Sequence, residues 1–209
     1  MKNFYLIIAL FSCVFSPLSH ATSVSHLLIT EIMANPTAVS DTNGEWFELF
    51  NPTAESIDLS GTILSDDNSL GHVITSGIIE AGSYFVMARN GDSSINGGFT
   101  ADYTYSRFTL GNTSDQIILR NSNAGEILRL DYGAGFVPSG GSMELIDAVM
   151  LPDNYAATTT TFGDGDFGTP GEAGSFIQPT ASPVPVPAAA WLMGSGLLGL
   201  VGFSRRQQA

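Results

Sequence analysis

Leu27-Leu28-Ile29-Thr30-Glu31-Ile32-Met33, closed by Asn35-Pro36, and Glu45-Trp46-Phe47-Glu48-Leu49-Phe50, closed by Asn51-Pro52, are the stretches on which the fold is read. Both are rich in β-branched and aromatic residues. Both end where asparagine can bond its own backbone and proline cannot donate to a ladder. Working outward, short apolar or alternating runs recur at 57–59, 62–64, 72–75, 84–88, 116–120, 127–132 and 143–146, separated by Gly, Asn, Asp and Pro. No window of about a dozen residues sustains a 3.6-residue period. Short runs at intervals of roughly 8–15 residues with turn punctuation predict an all-β, antiparallel β-sandwich. Residues 150–174 carry a weaker signal, with 158–161 predicted as an edge strand and 163–174 as loop.

Composition agrees. Hydrophobic residues are 44% of the 209, while charged residues are 13%, against about 25% in a typical soluble domain. All twenty acidic residues lie between Glu31 and Glu172, and only Arg89, Arg107, Arg120 and Arg129 oppose them there, so the body carries 4 − 20 = −16. Such a body is repelled by nucleic acid and by anionic membrane surfaces. Cys13 is the single cysteine, so the body has no disulfide, thiolate metal site or cysteine nucleophile.

The two ends read as addresses. In 1–21, Lys2 precedes an apolar stretch, Pro17 breaks it, and Ser19-His20-Ala21 presents small residues at the positions a signal peptidase inspects. The expected form is a signal helix cleaved between Ala21 and Thr22. A retained anchor, or a lipoprotein box at Cys13, are the alternatives. At the other end, 177–187 is a Pro-bearing linker and 188–204 a short hydrophobic helix, followed by 205–209 with Arg205 and Arg206. Its apolar run is marginal against the ~20 residues of a full span. Paired arginines favour the cytoplasmic side, which places the body outside the inner membrane.

This tail resembles the PEP-CTERM class of bacterial sorting signals, in the variant with a Val-Pro-Leu-Pro-Ala core. Here the core stands as Val184, Pro185, Val186, Pro187 and Ala188, followed by Trp191 and the two arginines, with Val186 in place of leucine. The resemblance implies an exosortase-type membrane protease as partner, in an exopolysaccharide-making Gram-negative bacterium. An ordinary single-span anchor is the alternative.

The body resembles the lamin tail domain, an immunoglobulin-like sandwich. The matching pieces are the two opening stretches, then Ile57-Asp58-Leu59-Ser60-Gly61 and Gly82-Ser83-Tyr84-Phe85-Val86. Leu64-Ser65-Asp66, Leu110-Gly111-Asn112, Asp115 to Leu119, Gly141 to Leu145 and Thr169-Pro170-Gly171 complete the series. Thr62, Ser114 and Leu128 depart from the family's usual residues. The resemblance extends over 27–174 and implies a scaffold or interaction role without a reaction.

His26 and His72 fall in predicted strands, far apart and without close metal-ligand spacing. No Gly-x-Ser-x-Gly elbow is present, and Glu45 and Glu48 sit three apart in one predicted strand, hence on opposite faces. Gly163 to Gly168 has the letters of a dinucleotide fingerprint, but Pro170 and two aspartates oppose that use. The acidic loops are the stronger lead: Asp41, Asn43 and Glu45 alternate, Asp66, Asp67 and Asn68 cluster, and Asp164 and Asp166 flank a glycine. These offer oxygen ligands to calcium, the one cofactor considered. No catalytic residue is expected. The leading expectation is a non-enzymatic exported structural or interaction module, displayed at the cell surface or in an exopolysaccharide matrix, with exopolysaccharide or a surface protein as its partner there. The alternatives are a carbohydrate- or calcium-dependent adhesion module, with Tyr103, Tyr105 and Phe108 stacking on sugars, and a hydrolase accessory domain.

Overall fold

The computed structural model describes residues 23–68 and 71–174. The expected signal peptide, its Ala21/Thr22 cleavage point, the linker, the hydrophobic helix and Arg205 and Arg206 all lie outside the described residues. Among the described residues, no helix is long and apolar enough to cross a membrane.

Twelve strands are present among them: β1 Leu28–Met33, β2 Trp46–Phe50, β3 Ile57–Asp58, β4 Ile63–Ser65, β5 His72–Val73, β6 Ile78–Ile79, β7 Tyr84–Ala88, β8 Tyr103–Thr104, β9 Asp115–Arg120, β10 Glu126–Tyr132, β11 Met143–Leu145 and β12 Tyr155–Ala157. A six-stranded sheet runs β12-β11-β1-β2-β7-β8, a four-stranded sheet runs β10-β9-β4-β5, and β3 pairs with β6.

The two larger sheets enclose one core. Ile32, Phe47 and Met87 lie side by side in register on the inner face of the six-stranded sheet, as do Ile29, Leu49 and Phe85. Leu64, Leu119 and Leu128 answer them from the four-stranded sheet, with Ile117 and Leu130. Each such buried side chain contributes about 1.5–3 kcal/mol of hydrophobic stabilisation. The turn after β2 is held by Asn51, which is wholly buried; its amide donates to Glu55 O and Ile79 O, and its oxygen accepts from Thr53 N.

The outer face of the six-stranded sheet is also covered. Met33, Trp46, Val86, Ala88 and Phe99 form a second apolar cluster, against which Phe162 packs. Phe162 belongs to residues 158–174, a strap laid across this face. All of β2 is therefore buried, which is why its sequence is almost continuously apolar rather than alternating. The strap meets the loop before β8 at very close range: Asp164 N donates to Gly97 O at 3.0 Å, and Gly163 (φ 44°) lies so near that carbonyl that any Cβ there would collide with it.

Several expectations are corrected. The sandwich is not wholly antiparallel, because β8 joins β7 in parallel, Met87 opposite Tyr103. Two-residue strands such as β6 and β8 are too short to show a period. The outer edge strand is β12 at Tyr155–Ala157, not 158–161, since the chain leaves the edge there to form the strap. His26 is in a 3-10 turn, Val24–His26. Glu45 precedes β2 and caps a single helical turn, Asp41–Gly44, so it does not share a strand with Glu48.

Candidate functional site

The acidic loops do not converge. Asp41 accepts from the Asn112 side-chain amide at 2.9 Å, and Asn43 from that of Asn90 at 3.1 Å. Glu45 accepts Arg89 NH1 at 3.1 Å and Leu110 N at 3.4 Å; burial pushes its pKa up to about 7, with the arginine pulling it back. Asp166 is buried and takes Thr37 N, Thr37 Oγ1 and Ala38 N, while Asp164 is exposed. Asp66 caps Asn68 N at 2.6 Å, and Asp67 pairs with Arg120 and Arg129. Among the described residues, no three His, Cys, Asp or Glu side chains are gathered as a metal-ligating set. Residues 163–168 form a tight turn in which Phe162 N bonds Asp166 O and Gly165 N bonds Phe162 O.

Two groupings emerge that the linear sequence conceals. The first is a row of three glutamates. Glu144, Glu31 and Glu48 occupy directly opposed positions on β11, β1 and β2, so their side chains share the outer face under the strap. Glu31 and Glu48 are each 1% exposed. Glu31 accepts Thr169 N at 2.8 Å, Thr169 Oγ1 at 2.6 Å and the Ser142 hydroxyl. Glu48 accepts Thr30 Oγ1 at 2.6 Å and Gly171 N at 2.7 Å. Burial raises the pKa of Glu31, and raises that of Glu48 to about 8, because no basic side chain offsets the lost hydration. Paired carboxylates can serve acid–base chemistry, but these two are closed off from solvent and spend their lone pairs on the strap's backbone and on neighbouring hydroxyls. Their role is to fasten the strap. Glu48 lies between Phe47 and Leu49 and Glu144 between Met143 and Leu145, but Glu31 lies between Thr30 and Ile32, so the row has no common signature in the linear sequence.

The second grouping is a cleft of about 410 Å³ beside the loop that follows β8, lined by Thr42, Asp66, Arg89, Ser106, Arg107 and Thr109 with Tyr105 and Phe108. Tyr105 and Phe108 are 2% exposed and pack on Phe47, so they belong to the core and do not offer stacking faces. The loop is pinned by His72. Its Nδ1 accepts from Ser106 N at 3.2 Å, so the ring proton sits on Nε2, which donates to Tyr103 Oη at 2.9 Å. Thr75 N donates to the same phenol oxygen at 3.1 Å. Burial lowers the His72 pKa, with the Arg107 charge adding to it. Ser106 Oγ also lies 3.2 Å from Nδ1. That contact has the look of a nucleophile and base, but Nε2 faces a phenol instead of the carboxylate that orients a catalytic imidazole. Arg107 is exposed, with φ 58°, and its guanidinium makes no ion pair or hydrogen bond among the described residues.

Residues 20–134, more than half of the chain, match the family model described as Lamin Tail Domain. The match ends before β11, β12 and the strap, so it is shorter than the 27–174 read from the sequence. No curated protein matches the chain.

Proposed function

Because this chain belongs to the lamin tail domain family, we propose that it is a non-enzymatic structural or interaction module, exported and sorted by its two ends. The observation that carries this is the occupancy of the buried carboxylates. Among the described residues, Glu31, Glu45, Glu48 and Asp166 each hold a loop, a turn or the strap through protein donors, and none of the four lines the cleft beside Arg107. The domain is an immunoglobulin-like sandwich of a type that is typically non-catalytic.

Residues 1–21 export the chain, with cleavage after Ala21. The segment from Val184 to Ala188, with Trp191, Arg205 and Arg206, presents the tail to an exosortase-type protease at the inner membrane. The sandwich is then shown at the cell surface or held in an extracellular polysaccharide matrix. Intact-mass measurement of the protein recovered from its native host tests both ends at once. A mass that begins at Thr22 and ends near Pro187 is the expected result. A mass running from Met1 to Ala209 refutes the sorting reading and leaves the module reading to the fold alone.

A further inference from the structure

We propose that the cleft between Arg89 and Arg107 is a binding site for a polyhydroxylated carboxylate, such as a single sugar-acid unit. This deepens the module reading above and rests on it.

Three observations converge. First, charge is misplaced here in an informative way. The body carries four arginines against twenty acids, and three of the four are tied to carboxylates: Arg89 to Glu45, Arg120 to Asp67 and Glu126, Arg129 to Asp67, Glu126 and Asp131. Only Arg107 is left without one among the described residues, in a body where acids outnumber arginines five to one. Second, its backbone is in the left-handed region, at φ 58°, where a long side chain costs free energy and glycine would cost none. Non-glycine residues kept in this region cluster at ligand clamps and active sites. Pinning of the preceding residue by His72 keeps the loop in this shape. Third, the arginine stands on a cleft of about 410 Å³, within the range of small-molecule sites. The Tyr105 hydroxyl, buried beside it, has no hydrogen-bond partner among the described residues.

The lining selects the ligand. Arg107 presents a guanidinium fork matched to a carboxylate, and the half-buried Arg89 adds the N–H donors it does not give to Glu45. Asp66, which also lines the cleft, repels a second anionic group but accepts from hydroxyl donors, and Thr42, Ser106 and Thr109 add hydroxyls of their own. A phosphate or a plain dicarboxylate meets Asp66 unfavourably, whereas a ligand with one carboxylate and several hydroxyls satisfies both the arginines and Asp66. The −16 body repels a long polyanion, so one unit, free or at a chain end, fits better than a polymer run.

The test titrates the full-length chain with galacturonate, galactose, acetate and inorganic phosphate, followed by calorimetry and by amide shifts at Thr42, Ser106 and Thr109. The expected result is galacturonate binding with shifts confined to the cleft, and binding at least tenfold weaker for each of the other three. Arg107→Gly is expected to weaken galacturonate binding at least tenfold while the Tm stays level or rises, because glycine relieves the backbone. Arg107→Lys keeps the charge, loses the fork and falls between. A merely structural arginine gives the opposite pattern: a changed Tm with unchanged binding. No galacturonate binding by the unmodified chain, equal binding of acetate or phosphate, or unchanged binding in Arg107→Gly or Arg107→Lys each overturns the proposal. A trisaccharide of galacturonate separates chain-end from free-unit recognition. Failure here leaves the module reading intact, since that reading answers to the family match and to the masses of the two ends.

Discussion

Glu48→Gln isolates the physics of the buried glutamate row. The Glu48 carboxyl is 1% exposed, faces Thr30 Oγ1 and Gly171 N, and has Glu31 and Asp102 as its like-charged neighbours. Burial moves its pKa from 4.5 to about 8, so the folded chain holds a proton here that the unfolded chain has released. The stabilisation from this raised pKa is complete below about pH 4.5, declines as pH rises through the window, and is gone above about pH 8. One proton corresponds to about 1.4 kcal/mol per pH unit, hence about 4 kcal/mol between pH 5 and pH 8. Glutamine preserves the bonds without titrating: its amide nitrogen donates to Thr30 Oγ1 and its oxygen accepts from Gly171 N. Urea unfolding of both proteins at closely spaced pH values gives the difference directly, with Glu31 and Glu45 common to both. The variant is expected to gain steadily on the original chain as pH rises from 5 to 8, by about 4 kcal/mol in all. A difference that is flat with pH, or that runs the other way, refutes the claim that burial outweighs the hydrogen bonds at this carboxyl.

Two further substitutions probe the strap. Asp166→Ala strands the Thr37 and Ala38 amides and the Thr37 hydroxyl, and is expected to cost about 2–4 kcal/mol in denaturant unfolding; unchanged stability would mean the 37–38 loop does not depend on the strap. Trp46, wedged between Phe99 and Phe162 with an unpartnered Nε1–H, separates volume from polarity. Trp46→Ala is expected to cost about 3–5 kcal/mol by thermal unfolding, whereas Trp46→Phe sheds the stranded N–H and costs under about 1.5 kcal/mol. Equal losses would show that the ring's shape is not what holds Phe162 down.

How far the fold could be read ahead of the structure follows from the range of the forces involved. The runs at 27–33, 84–88 and 127–132 announce themselves because β-branched and aromatic side chains crowd a helix and fit a pleat, a preference each residue carries alone. Asn51-Pro52 marks its turn because the asparagine side chain bonds its own neighbourhood. The row of Glu144, Glu31 and Glu48 was not legible in this way. Each glutamate is unremarkable in its own strand, and only the register of three strands drawn from distant parts of the chain sets them shoulder to shoulder. Asp164 and Asp166, separated by one glycine in the chain, part company in the fold, one exposed and one buried against Thr37.

Sequence by itself determined the strand-rich class, the acid excess, the two terminal addresses as expectations and the lack of a thiol in the body, because these depend on residue type and local spacing. Tertiary structure alone decided that 158–174 straps the outer face, that Tyr105 and Phe108 are core, and that Arg107 stands on a cleft in the left-handed region, unpaired among the described residues. Those outcomes depend on which distant backbone groups meet, and the energy of a buried carboxylate or a left-handed arginine is set by the neighbours it meets there, not by the residues beside it in the chain.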